Sequence, residues 1–243
     1  MRRRSLPLCL MAVTVLALSA AAAFAEEACS AEETRSEVPA LADFHEVIYP
    51  LWHEAWPAKN VAMMKELLPR VQEHVKKVQA AQLPGILRER KSAWEEGIEA
   101  LAATVQKYEK AAAASDEQAL LDAVEALHSR YEGLVRIVRP AMKELDAFHV
   151  DLYKVYHHLA PAKKIPEILA ASESMVKSCA TLSVAPVPKR FAAQEDDFRK
   201  EGAALCTVTE ALRAAASGTD ADAVSKAVET VHAQYQKAAK IFE

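Results

Sequence analysis

The 243-residue chain has only five glycines, and aromatic residues make up 6% of it. Clusters of β-branched residues are few, while Ala, Leu, Glu and Lys abound, so the composition favours helix. What is missing excludes several chemistries. There is no glycine-rich phosphate loop, no G-x-S-x-G nucleophile elbow, no H-E-x-x-H and no C-x-x-C. A carboxylate pair does not recur either, because Glu46 becomes Val150 and Glu54 becomes His158 in the second half of the chain. The sequence therefore reads as a non-enzyme. No basic block interrupts the mixed charges, which excludes nucleic acid as a partner. Beyond the N-terminus no apolar run reaches the roughly 18 residues that a membrane span requires, so no span is expected.

The N-terminus carries an export pattern. Arg2, Arg3 and Arg4 precede an apolar stretch from Leu6 to Ala23, and Ala23-Phe24-Ala25 is an A-x-A cleavage site. Residues 1–25 are read as a cleaved signal peptide, which places the mature chain in the periplasm. Losing three arginines takes the net charge from −4 to −7. Cys29, Cys179 and Cys206 remain, an odd number in an oxidising compartment. Residues 26–37, rich in Glu, Ala and Ser, read as a disordered lead.

The strongest signal is internal. Slid against itself by 104 residues, the sequence pairs without a gap from Leu41 to its end. Identical pairs include Phe44/Phe148, Tyr49/Tyr153, Pro57/Pro161, Lys59/Lys163, Pro84/Pro188, Asp116/Asp220 and Tyr131/Tyr235. Each repeat predicts four helices joined by short loops. In the first repeat, one helix runs from Val38 to Trp56, a second starts after the N-cap Asn60, a third covers 86–113, and Asp116 caps the fourth. The expected stripe of that fourth helix is Leu121, Val124, His128, Tyr131, Val135 and Val138. The expected fold is all-α: two tandem up-down-up-down four-helix bundles, at 38–140 and 141–243, from an internal duplication. Pro140 alone separates the repeats, so one continuous kinked helix joining bundles stacked end to end is expected. Pro50 and Pro69 should kink or interrupt their helices.

Six of the eight histidines form three pairs at the same offset: His45/His149, His53/His157 and His128/His232. At about 1.5 Å rise per residue, His45 and His128 reach nearly the same height on antiparallel neighbours. Two imidazoles are thus expected to meet inside each bundle, and His149 with His232 likewise. Tyr49, Tyr131, Tyr153 and Tyr235 share those faces as further ligands or orienting partners. His53 lies roughly 12 Å along the helix from His45 and about 80° around it, so His53 and His157 suit the helix C-terminus, with a ligand role as the alternative. In the second repeat Cys206 replaces Ala102, and Met175 and Cys179 replace Val71 and Val75. These sulfurs read as soft metal ligands, as core fillers, or as a Cys179–Cys206 disulfide.

An exported four-helix bundle with histidines on its first and last helices resembles the cytochrome c-prime-like bundles and their b-type haem relatives. The resemblance rests on His45/His128 and His149/His232; there is no C-x-x-C-H, so it implies haem held without covalent attachment. The first expectation is a periplasmic zinc- or copper-binding protein for buffering, storage or delivery. Its metal ligands would be His45, His128, His149, His232 and Cys206. The alternatives are a haem b electron-transfer bundle and a non-catalytic scaffold that docks a periplasmic protein, with exposed aromatics such as Trp56 on its surface.

Overall fold

A computed structural model describes residues 30–242. The signal peptide read from residues 1–25, and Cys29, lie outside the described residues. Among those described, the chain is all-helical, with eight α-helices and no strand. In the first repeat these are α1 (Pro39–Pro50), α2 (Val61–Ala80), α3 (Lys91–Ala114) and α4 (Glu117–Val138). The second has α5 (Lys143–Lys154), α6 (Ile165–Val184), α7 (Glu195–Ala216) and α8 (Ala221–Lys240). No described helix is long and apolar enough to cross a membrane.

Local sequence explains most boundaries. The Asn60 side chain accepts a hydrogen bond from the Met63 amide at 3.0 Å, and Asp116 accepts one from Ala119 at 3.1 Å. Asp220, the duplicate of Asp116, accepts one from Ala223 at 3.1 Å. Each cap satisfies an amide that the first helical turn would otherwise strand.

Pro69 does not interrupt its helix, since α2 runs on through it. At Pro50 the α-helix ends and gives way to a π turn, Leu51–Ala55. The second repeat forms the same π turn, Val155–Leu159, where Lys154 stands in place of Pro50. Proline is therefore not its cause. Both π turns end alike: the Asn60 amide reaches Ala55 O at 2.8 Å, and the Lys164 amide reaches Leu159 O at 3.0 Å. Lys59 and Lys163 take left-handed φ values of 50° and 54°, uncommon for lysine and retained in both copies.

Within each repeat, sequential helices pack on one another and the first returns to the last. Two separate apolar cores result. Phe44, Met64, Leu101 and Leu127 are fully enclosed in the first, as are Phe148, Leu152, Met175, Phe198 and Leu205 in the second. Each such side chain stabilises the fold by roughly 1.5–3 kcal/mol. The buried stripe of α4 includes the expected Leu121, Val124, Tyr131 and Val138, but Leu127 and Leu134 take the places expected for His128 and Val135. That phase moves His128 to the edge of the stripe, half-buried.

The repeats are not joined by one long helix. Arg139 (φ −78°, ψ 131°) and Met142 (φ −132°, ψ 126°) are extended on either side of Pro140. Steric conflict with the proline ring drives the preceding residue out of the helical region. The 3-10 turn Gly85–Arg90 of the first repeat lies against α5 and α8 of the second. The expected disordered lead is also corrected for its described part: the Ile86 amide donates to Glu33 O at 2.9 Å, and Ser36 Oγ to Asp146 Oδ1 at 2.9 Å.

A disulfide joins Cys179 on α6 to Cys206 on α7, with Cα atoms 5.6 Å apart. This corrects both cysteines as metal ligands, since a disulfide sulfur carries no thiolate to offer. Met175 is a wholly enclosed core residue. Cys206→Ala should cost about 2–4 kcal/mol in urea unfolding. Reductant should lower the wild type by a similar amount and leave the variant unchanged.

Candidate functional site

Three elements of each repeat build the same aromatic and imidazole patch. The first helix gives His45 and Tyr49, or His149 and Tyr153. The π turn gives Trp52 and His53, or Tyr156 and His157. The last helix gives His128 and Tyr131, or His232 and Tyr235. The rings alternate. His45 stacks on Tyr131 at 6.0 Å and His128 on Trp52 at 4.1 Å. In the second repeat His149 stacks on Tyr235 at 4.3 Å and His232 on Tyr156 at 3.8 Å. The expected imidazole pairs thus share a patch, but each ring is taken up by an aromatic face. His45 stands exposed rather than inside the bundle.

The third histidine of each repeat sits in the π turn. An α-helical repeat would carry His157 around the axis from His149. The His157 ring, one turn on from Tyr153, lies 4.7 Å from the Tyr153 ring and 6.3 Å from that of His232. His53 likewise lies 4.7 Å from Tyr49. Both therefore belong to the patch and are not simple caps of a helix end. Trp56, expected on the surface, is half-buried and donates its indole N–H to Leu121 O at 3.1 Å.

The two copies differ in what covers them. In the second repeat the Gly85–Arg90 turn plugs the patch. Arg88 donates to the Tyr153 hydroxyl, lies over its ring at 4.8 Å from the centroid, and approaches His157 Nδ1 at 3.2 Å. Glu89 Oε1 sits 2.8 Å from His232 Nε2 and accepts from Gln236 at 3.2 Å. Glu33 accepts from Tyr153 and lies 3.4 Å from His158 Nε2. A Cβ on Gly85 would fall 2.7 Å from Glu33 Cγ and against the Tyr153 hydroxyl, so the close approach requires glycine. Tyr153 is 1% exposed and even joins the first core. Its counterpart Tyr49 is 51% exposed. The first patch lies open.

Burial sets the protonation states. It pushes His149 down to about 4. His157 also falls to about 4, through burial and then the Arg88 guanidinium. Burial lifts Tyr153 to about 12, and the hydrogen bond from Tyr153 holds Glu33 below its ordinary range. Glu89 is held down by its hydrogen bond with His232. Burial lowers His128 too, and the nearby His53 and His45 oppose its charge.

Among the described residues no group of three or more His, Cys, Asp or Glu side chains is arranged to hold a metal ion. Sequence reasoning passed over three residues of this site. Trp52 and Tyr156 form an aromatic pair at the 104-residue offset, each directly before a paired histidine. The expectation that no Glu-x-x-His spacing exists is corrected as well: Glu229, with Glu125 as its duplicate, completes one in both last helices. Glu229 accepts from the Tyr156 hydroxyl at 3.2 Å. Compared with protein-family models, curated proteins and solved structures, the chain finds no match in any of the three.

Because His149 and His157 titrate near 4 when folded, the unfolded chain takes up their protons first as pH falls. Stability should be full above pH 6.5 and decline towards pH 4, with His149 alone accounting for about 3 kcal/mol. Urea midpoints at pH 7.5, 5.5 and 4 should trace that loss. His149→Phe, which keeps the stack on Tyr235, should flatten the profile.

Proposed function

We propose that the protein is an exported, non-catalytic docking module of two tandem four-helix bundles, spanning 38–140 and 141–243. The open patch of the first bundle would bind a periplasmic protein that presents an arginine- and glutamate-bearing turn. One observation carries this reading: the same chemistry, in the second bundle, is already filled by such a turn. There, arginine meets tyrosine and imidazole while a glutamate meets the histidine of the last helix. The first patch offers Tyr49, His53 and His128 in equivalent positions with Tyr49 half in solvent. Aromatic faces with adjacent polar edges are favoured anchors for arginine.

A second copy of the chain does not supply the occupant. The turn equivalent to Gly85–Arg90 is Lys189–Gln194, and it carries Lys189, Ala192 and Ala193 in place of Gly85, Arg88 and Glu89.

Zinc or copper binding remains the second reading, favoured by one observation. The Glu125-x-x-His128 spacing lies beside His53 and His45, close enough for their charges to oppose that of His128. Haem has less support, since each imidazole lies against an aromatic face rather than facing its partner.

A synthetic peptide of residues 83–91 tests the docking reading on the full-length protein. Its addition should shift the imidazole resonances of His45, His53 and His128, and Trp52→Ala should abolish the effect. A peptide with Arg88→Ala should bind at least tenfold more weakly. No shift at millimolar peptide would overturn the reading. Elemental analysis of untagged protein soaked with zinc tests the second: a stoichiometry near one, lost in His128→Ala, would establish it in place of the first.

A further inference from the structure

A cleft of about 480 Å³ opens between the two repeats, and no histidine lines it, though Glu89 at its edge also reaches the second histidine patch. That volume falls within the range of small-molecule sites, which favour the junction of two structural units. Arg90, Arg136 and Arg139 reach it from the first repeat, and Arg190, Phe191 and Phe242 from the second. The side chains of Arg136 and Arg139 pair with no carboxylate among the described residues. Arg90 is held in place, donating to Ile137 O at 2.8 Å. Arg190 lies over the Phe191 ring at 4.9 Å. Phe242 meets Phe191 edge-on at 5.0 Å and Phe198 at 4.9 Å, which fixes an apolar wall. Among the described residues Glu89 is the one acidic member of the lining, and it is drawn off towards His232.

Four guanidinium groups around one opening are unexpected on a chain of net charge −4. A guanidinium binds a carboxylate through two parallel hydrogen bonds, and Arg136 and Arg139 stand exposed at the opening to do so. The cluster is not a by-product of duplication. At the 104-residue offset Arg90 pairs with Gln194, Arg136 with Lys240 and Arg139 with Glu243, so neither repeat holds the set alone.

We propose that this cleft binds an organic anion with an apolar body, such as a medium-chain carboxylate. The arginines hold the head group, and Phe191 and Phe242 hold the chain. Calorimetric titration of the full-length protein with decanoate, decyltrimethylammonium and inorganic phosphate tests it. Decanoate should bind at least tenfold more tightly than either of the others, and high salt should weaken it. The double variant Arg136→Ala/Arg139→Ala should lose at least tenfold in affinity with an unchanged circular dichroism spectrum. Phe242→Ala should lose about fivefold, while Trp52→Ala, which disables the docking patch, should bind decanoate normally. Equal affinity for decanoate and decyltrimethylammonium would overturn the head-group assignment, and equal affinity for phosphate would overturn the apolar wall. Unaltered binding by the double variant would place the anion elsewhere and overturn the site.

Discussion

The relation between the two repeats depends on one contact, the insertion of Arg88 and Glu89 into an imidazole and tyrosine patch. Arg88 presents its flat cation to the Tyr153 ring and its N–H groups to the tyrosine hydroxyl and to His157. Those donations require His157 Nδ1 to be an unprotonated acceptor, and burial keeps it so. Glu89 meets His232 on the far side, and Glu33 closes the near side. The result is a polar network around Tyr153 in which the His158 and His232 Nε2 atoms lie buried beside carboxylates without a well-formed hydrogen bond. Networks of this kind fix one geometry because any slippage strands a buried donor or acceptor.

Much of the architecture was legible before any coordinates. The 104-residue register, the caps at Asn60 and Asp116, and the four-helix plan of each repeat follow from local chemistry and from repetition. The parts that were not legible share a cause: they depend on phase between helices. A π turn has no residue signature, so the angular place of His53 and His157 could not be computed from an α-helical pitch. One position of rotation in α4 exchanged His128 for Leu127 on the buried stripe. The disulfide required α6 and α7 to turn Cys179 and Cys206 towards each other, which helix length alone leaves open. The junction at Arg139–Met142 was visible in part, because Pro140 constrains its predecessor, yet the direction taken afterwards is set by the docking of Gly85–Arg90.

The candidate site was half legible. Pairing of the histidines pointed to one patch in each repeat, and both imidazole pairs lie on those patches. Their partners were misjudged, because Trp52 and Tyr156 are not identical residues and so did not stand out beside the repeated tyrosines. The two copies of the aromatic and imidazole patch differ in access: Tyr153 is sealed and Tyr49 is half in water. The same docking event brings Arg90, Arg136, Arg139 and Arg190 to one opening, so the arginine cleft exists only because the repeats meet as they do.

A plug on one repeat and a socket on the next form a head-to-tail contact, and such a contact has no intrinsic end. If both repeats carried plug and socket, each molecule would extend another and the chain would grow into a filament. Ala192 and Ala193 remove the side chains that would fill the next socket, and Lys189 fills the space a glycine leaves free. The second repeat's turn therefore lacks the arginine and glutamate with which the first repeat's turn fills its neighbour's patch.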